Sequence, residues 1–192
     1  MQSLSQELNH QTCRVSPDAF ERGMARFGLR HANDTERVAG LEVGERLTGN
    51  ALISAEQLER VDRLTGMTCW VTGEPVDGIY ITVPVTSAGR SAIEDGSFTP
   101  GKIDKTHIAV AGDNIAALYI GIYAGETKEA RRNVVQASAV LRVELFSAIP
   151  CFARAATEDG ARSMSALGFR PAGKGLPELF VSDPIKAEGE VV

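Results

Sequence analysis

A long apolar segment that runs through a glycine into an amphipathic helix constrains the fold of this chain most. Residues 116–123 are apolar at nearly every position and rich in β-branched and aromatic residues, which predicts a buried strand. Residues 127–146 carry apolar side chains at spacings of three and four, which predicts one continuous helix. A buried strand followed directly by a long helix indicates a mixed α/β domain, with the strand central and the helix packed on the sheet. The apolar stripe of this helix consists of Ala130, Val134, Ala137, Leu141 and Leu145.

Three cations lie at the beginning of this predicted helix, where a cation is unfavourable. Lys128, Arg131 and Arg132 fall within its first two turns, and the N-terminal end of a helix carries partial positive charge that favours anions. One interpretation is a solvated face balanced by Glu126 and Glu129. The other is a bound anion, because the first N–H groups of a helix have no partner within it.

The first third of the chain reads mainly as helix. Ser16 and Pro17 predict a helix start, and Ser54 with Gln57 forms a capping box for a helix that ends at Gly66. Residues 38–43 suggest one short strand in a glycine-punctuated stretch. We expect residues 1–66 to be a helical part of the same domain, with the first residues frayed or disordered.

Strands dominate from residue 67 onward. The segments "MTCWVT" and "GIYITVPV" flank a turn-forming cluster and predict an antiparallel hairpin. "SAGRSAIEDG" predicts a short helix, "HIAVAG" a short extended piece and "IPCFARA" a strand. "TEDGARSMSALG" predicts another helix, followed by two short strands within "FRPAGKGLPELFVSD". The core of the domain is therefore expected to span residues 67–183, with a tail at 184–192.

Composition narrows the class of partners. The chain has 192 residues and a net charge of −5, which argues against a dedicated nucleic-acid binder. No run approaches the roughly 18 apolar residues of a membrane span, and the polar start "MQSLSQELNH" lacks the apolar region of a signal peptide. We therefore expect a cytoplasmic protein with no membrane partner.

The cysteines and histidines show no metal-ligand spacing. Three widely separated cysteines are typical of free, mostly buried thiols in a reducing compartment, and no metal site is expected from the scattered histidines. The cysteines are Cys13, Cys69 and Cys151, and the histidines are His10, His31 and His107.

The C-terminal part of the chain resembles the GCN5-related N-acetyltransferase (GNAT) superfamily. The likeness lies in the order hairpin, central strand, long helix, strand, helix and closing strand pair over residues 67–182. It also lies in "TEDGARSMSALGFRPAG", which is similar to the helix of that superfamily that ends in Leu-Gly-Phe. Leu167, Gly168 and Phe169 match directly, and Gly168 is expected in the left-handed conformation that ends a helix. The resemblance implies a mixed, mostly antiparallel sheet with helices on both faces.

The resemblance also implies a site for acetyl-CoA or another acyl-CoA. In that superfamily the central strand splays from its neighbour, the pantetheine enters the gap, and the following loop and helix start bind the pyrophosphate. Lys128, Arg131 and Arg132 would add charged contacts to the phosphates. The implied contacts are Ile122, Tyr123 and Ala124 for the pantetheine, and Gly125, Thr127, Lys128, Arg131, Arg132, Asn133 and Val134 for the phosphates.

Two features depart from the pattern of the superfamily. Its phosphate loop usually contains glycines that let the backbone approach the phosphates, whereas "ETKEARRNVV" contains none. Many members place a Tyr four residues before the Gly of Leu-Gly-Phe to protonate the leaving thiolate. Here that position is Met164, which cannot donate a proton.

Two functions follow from these observations. The first is an acyl-CoA-dependent acyltransferase, N-acetyltransferase-like, in which an unknown small-molecule or protein amine attacks the thioester. An N–H of the central strand near Tyr123 or Ala124 would then polarise the carbonyl. The second is a catalytically degenerate GNAT-like module with a binding or regulatory role. Both are compatible with a homodimer.

Overall fold

The computed structural model describes residues 13–99, 104–175 and 177–185. The predicted N-terminal arm, His10 and most of the predicted tail lie outside this part of the chain. The helices are α1 (Pro17–Ala25), α2 (Asp34–Thr48), α3 (Ala55–Thr65), α4 (Ser87–Asp95), α5 (Lys128–Glu144) and α6 (Glu158–Ala166). The strands are β1 (Arg30–His31), β2 (Cys69–Thr72), β3 (Gly78–Val85), β4 (Ala117–Gly125), β5 (Cys151–Arg154), β6 (Arg170–Pro171) and β7 (Leu179–Ser182).

The strands form one mixed sheet in the order β1-β2-β3-β4-β5-β7-β6. Every neighbouring pair is antiparallel except β4 and β5, which run parallel. The predicted hairpin is β2–β3, the predicted apolar strand is the central β4, and the predicted long helix is the continuous α5. The expected fold class and element order are therefore confirmed.

Helices cover both faces of the sheet because side chains alternate along its strands. Tyr80 and Leu118 face a cluster that includes residues of α1, α5 and α6. Their neighbours Ile79 and Tyr119 face the other side, where α2, α3 and α4 pack. The stripe predicted for α5 is buried at 130, 134, 137 and 141 and partly buried at Leu145.

The prediction of a strand at residues 38–43 was wrong, because α2 spans this stretch. Asn33 and Glu36 form a capping box at its start. Its face toward the sheet carries glycines: a Cβ at Gly44 would lie 2.8 Å from the Ile122 side chain, and one at Gly40 would lie 3.0 Å from Ile79. Glycines on the buried face let the helix lie close to the strands, and they remove the apolar periodicity by which a helix is predicted.

Smaller differences concern the ends of elements. Helix α1 follows Ser16 and Pro17 as predicted, and the capping box of α3 and its end at Gly66 are confirmed. Gly168 has a φ of 83°, and the amide of Phe169 turns back to the Met164 carbonyl at 3.0 Å. The predicted extended piece "HIAVAG" contributes only an isolated bridge between residues 85 and 108.

Gly125 ends β4 where the backbone of α5 comes closest. A Cβ there would lie 2.4 Å from the Arg131 nitrogen and 2.6 Å from the Ala130 carbonyl carbon. Both are backbone atoms, so no side chain can move aside. Gly125 is therefore needed for the contact between the strand and the helix that follows it.

We expect Gly125→Ala to lower the free energy of unfolding by about 1–3 kcal/mol, because the added methyl group overpacks this contact. Urea unfolding measures the change. Gly160→Ala is the matched control: its nearest neighbour would be Thr157 Oγ1 at 3.2 Å, and alanine favours the helix, so its effect should stay within about 1 kcal/mol. Equal midpoints for Gly125→Ala and the wild type would contradict the steric argument.

Candidate functional site

The central strand extends beyond the strand that runs parallel to it. Residues 118, 119 and 120 of β4 pair with residues 151, 152 and 153 of β5. From 122 to 125, β4 pairs with β3 alone, and Gly121 has no register partner in either strand. We call residues 121–125 the open segment, because one of its edges has no neighbouring strand. The resemblance implies a central strand that separates from its neighbour, and the pairing of β4 with β5 ends at Ile120.

A β-bulge lies where the open segment begins. Ile81 pairs with Ile122 and Thr82 with Ile120, so Gly121 is an extra residue in β4. A bulge bends its strand and increases the local twist. The bend gives a physical reason why β4 leaves β5 after Ile120.

The hydrogen-bond alternation of the β3–β4 ladder decides which backbone groups face the open edge. The Glu126 amide donates to the Asp77 carbonyl at 2.7 Å, which makes Gly78 and Gly125 a non-hydrogen-bonded pair. In an antiparallel ladder such pairs alternate with hydrogen-bonded ones, so Tyr80 and Tyr123 are also a non-hydrogen-bonded pair. The N–H and C=O of Tyr123 therefore point away from β3, whereas those of Ala124 bond to it.

No partner for the Tyr123 N–H or C=O lies within the described residues. A strand N–H and C=O without partners can form hydrogen bonds with an extended ligand, as they would with a neighbouring strand. Of the two residues considered from sequence, Tyr123 alone offers its amide to the open edge.

The start of α5 lies directly after the open segment. The Thr127 hydroxyl accepts from the Ala130 amide at 3.0 Å and donates to Asp77 Oδ2 at 2.7 Å. The amides of Lys128 and Glu129, in the first turn, have no acceptor among the described residues. Such free N–H groups and the helix dipole together favour an anion.

The three cations of this turn are exposed, and one of the expected balancing acids is engaged elsewhere. Glu126 pairs with Arg46 of α2 at 2.8 Å, and this contact lowers the pKa of Glu126. Arg132 lies 3.9 Å from Glu129, and Arg131 Nε donates to the Thr127 carbonyl at 3.5 Å. Of the two acids that the solvated-face interpretation requires, only Glu129 is therefore left to balance the three cations.

Several residues implied by the resemblance point their side chains elsewhere. Ile122 packs in the cluster under α2 and α3, as Ala124 does in part. Val134 is buried in the main core. The Asn133 amide nitrogen lies 3.8 Å from the position that a Cβ at Gly28 would take, near the end of α1. Of these residues, only the backbone groups could contact a ligand bound along the open segment.

Tyr123 directs its side chain toward α6. Its hydroxyl is buried without a partner in hydrogen-bond geometry. Burial is the larger influence on the pKa of Tyr123 and raises it, whereas the neighbouring Ser163 hydroxyl lowers it. Met164, the next residue of α6, is 4% exposed and belongs to the core cluster against which Tyr123 packs. Met164 is therefore part of the core in this structure.

Two cavities lie elsewhere on the surface. One, of about 250 Å³, lies between α1 and the end of α5. The other, of about 410 Å³, lies between the second half of α5 and the end of α6. Neither is lined by the open segment, which is an edge of the sheet and not an enclosed cavity.

A histidine–aspartate pair that the sequence did not reveal lies at the β1 edge of the sheet. His31 Nε2 lies 2.8 Å from Asp62 Oδ2, and Asp62 Oδ1 accepts from the amides of residues 68 and 69 at 2.8 and 3.2 Å. The hydrogen bond to Asp62 raises the pKa of His31. The rings of His31 and Trp70 lie 5.1 Å apart, and Trp70 is buried as core.

The described residues contain no cluster of His, Cys, Asp and Glu that could hold a metal ion. In the same part of the chain, no helix has both the length and the apolar character needed to cross a membrane. The cysteines are free, as predicted. Burial raises the pKa of Cys13 to about 11 and that of Cys69 and Cys151 to about 12, so their thiols stay protonated.

The His31–Asp62 pair should make stability depend on pH. The folded-state pKa of His31 is raised above its ordinary value of 6.5, so its contribution is complete below that value and is lost as the pH rises through the folded pKa. We expect the stability difference between the wild type and His31→Gln to shrink from about pH 5.5 to about pH 8.5. Urea unfolding at both values measures it, and a constant difference would contradict the charged pair.

Comparison with known proteins gives one structural similarity. No protein-family model matches the sequence, and no curated protein matches it. A crystal structure of Ard1 from Thermoplasma volcanium is 11% identical in sequence, with a TM-score of 0.42, over 74% of this chain and 81% of that chain. Because this similarity is weak in sequence and in geometry, the fold is assigned from the strand order and pairing described above.

Proposed function

We propose that this protein is an acyl-CoA-dependent acyltransferase, similar to the N-acetyltransferases, that acts on the amine of a small molecule or a protein. One observation carries the proposal. The unpaired N–H and C=O of Tyr123 lie on the open edge of β4, four residues before the capped start of α5. A backbone edge and a helix N-terminus at this spacing suit a ligand that is amide-like at one end and phosphorylated at the other.

Each part of coenzyme A has a counterpart in this arrangement. The amides of the pantetheine arm would continue the ladder along the open segment, as an added strand does. The diphosphate would lie at the first turn of α5, near the free amides of Lys128 and Glu129. Arg131 and Arg132 would add charge-assisted contacts, for which the planar guanidinium is suited. Since the loop has no glycine besides Gly125, which is used for packing, these side chains would carry more of the phosphate binding.

The reaction requires mainly that the two substrates are positioned and that the thioester carbonyl is polarised. The Tyr123 N–H would donate to the thioester oxygen and stabilise the negative charge that develops there. The amine nitrogen attacks the carbonyl carbon, the C–S bond breaks, and its electron pair leaves on sulfur. The amine gives up a proton to solvent, and the thiolate takes one up, so the products are an amide and free CoA thiol. Holding both substrates together supplies much of the rate.

The Tyr123 phenol would also supply a proton donor in place of the tyrosine that is absent at position 164. Its buried hydroxyl lies beside Ser163, which is the neighbour of Met164 in α6. The Tyr123 phenol, on the strand, therefore lies near the position on α6 at which many members of the superfamily carry their tyrosine. Burial raises the pKa of Tyr123, so the phenol is protonated at neutral pH. It would serve as an acid once the bound thioester displaces the side chains that cover the hydroxyl.

The second candidate is a GNAT-like module that binds acyl-CoA without catalysis. Its support is the core position of Met164 and the loop sequence without phosphate-binding glycines. The two candidates differ in whether CoA thiol is released in the presence of an amine.

Replacing Arg131 and Arg132 with Gln should weaken binding of CoA by about 1–3 kcal/mol per lost charged hydrogen bond, and less at high salt. Calorimetric titration with CoA and acetyl-CoA measures this. The matched control is Arg60→Gln with Arg63→Gln, an exposed pair on α3 whose partners lie on the same helix. Both double variants should keep the stability of the wild type within about 0.5 kcal/mol per site. Unchanged CoA affinity would show that the two arginines belong to a solvated surface and do not bind the phosphates. A wild type that binds no acyl-CoA would refute the proposal.

Tyr123→Phe should retain acetyl-CoA affinity and lower the rate of thiol release by about 10²-fold, the lower end expected for loss of a general acid. The assay follows free thiol with acetyl-CoA and a panel of amines and peptides. Tyr119→Phe is the control, because Tyr119 is buried on the other face of β4. An unchanged rate in Tyr123→Phe would exclude the phenol as the acid. CoA binding without thiol release by the wild type would favour the binding module.

A further inference from the structure

A second site is suggested by the cavity of about 410 Å³ between α5 and α6. It lies beside Leu118 and Ile120 of β4 and the second half of α5, and none of residues 121–125 of the open segment lines it. About ten residues of helix, or roughly 15 Å, separate its nearest α5 residue, Ser138, from the start of that helix. Its volume is within the range of small-molecule pockets. The apolar part of its wall includes Leu118, Ile120, Phe146, Phe169 and Ile185.

One side chain in this wall is a buried cation. Arg142 is 8% exposed, and its guanidinium is held by backbone and hydroxyl oxygens. Nη1 donates to the Phe146 carbonyl and Nη2 to the Asp183 carbonyl, while Nε lies 3.4 Å from Ser182 Oγ. These contacts use three of the five N–H groups of an arginine. Two remain, one on each terminal nitrogen.

Arg142 has no carboxylate within 4.0 Å among the described residues. Asp183, whose backbone carbonyl accepts from Arg142, directs its carboxylate to Arg170 in a two-pronged contact at 2.8 and 2.9 Å. A buried charge without an opposite charge is costly. The carbonyl oxygens at the end of α5 reduce that cost, but they add no counter-charge.

We infer that this cavity binds a small organic carboxylate with an apolar body, such as a medium-chain fatty acid. The carboxylate oxygens match the free N–H groups of the Arg142 guanidinium, and the apolar wall covers the chain. The other polar groups of the wall are the hydroxyls of Tyr80, Ser138 and Ser182 and the residue Asp183, whose carboxylate is bound by Arg170. A phosphate group would need more donors than this, so the carboxylate is the better fit. The inference does not depend on the acyltransferase proposal.

The first test uses octanoate and 1-octanol, which share the apolar chain and differ in charge. Calorimetric titration of the full chain should give saturable binding of octanoate, and octanoate should raise the melting temperature. Binding of 1-octanol should be weaker by about tenfold or more, because the ion contact is lost. Equal binding of both probes, or no binding of octanoate, would overturn the inference.

Two variants test the contributions of the cation and of the cavity separately. Arg142→Met should weaken octanoate binding by about tenfold or more, while Arg60→Met, an exposed arginine on α3, should leave it unchanged. Ala139→Phe fills the cavity wall without removing the guanidinium, and it should also abolish binding. If Arg142→Met does not fold, Ala139→Phe and the octanol comparison still decide. Unchanged octanoate affinity in Ala139→Phe would place the binding elsewhere and refute the site.

Discussion

The pairing of β3 with β4 is the contact on which the rest of the molecule depends. Both strands are nearly fully buried and pair along their whole lengths. The helices of both faces pack on the resulting two-stranded centre. The open segment exists because this ladder continues to Gly125, beyond Ile120, the last residue of β4 that pairs with β5. The same ladder decides which amides face the open edge, so the candidate site and the core are held by one set of hydrogen bonds.

Local patterns in the sequence were sufficient for most of the elements. Strong periodicity predicted α5, the β2–β3 hairpin and β4, and cap residues predicted both ends of α3. The main error, a strand in place of α2, arose where glycines stand on the buried face of a helix. There the signal for close packing is the lack of a side chain, which removes the helical periodicity from the local pattern.

The candidate site was predictable as a segment but not as a set of atoms. The resemblance pointed to residues 122–134, and the strand-to-helix junction lies there. Which amide faces outward depends on a bulge opposite Ile81. The contacts of Glu126 with Arg46 and of His31 with Asp62 join residues 80 and 31 positions apart. Such contacts are set by tertiary packing, which no local pattern contains.

The bulge at Gly121 bears on how such a site could arise during evolution. Leu118 and Ile120 before it and Tyr123 after it all face the α5 side of the sheet, so the extra residue leaves the inward and outward pattern of β4 unchanged. A one-codon insertion in an uninterrupted strand could therefore bend β4 while every core residue kept its environment. Loss of the same codon would restore an uninterrupted ladder between β3 and β4. The bend in β4 can thus be gained or lost without rebuilding the core.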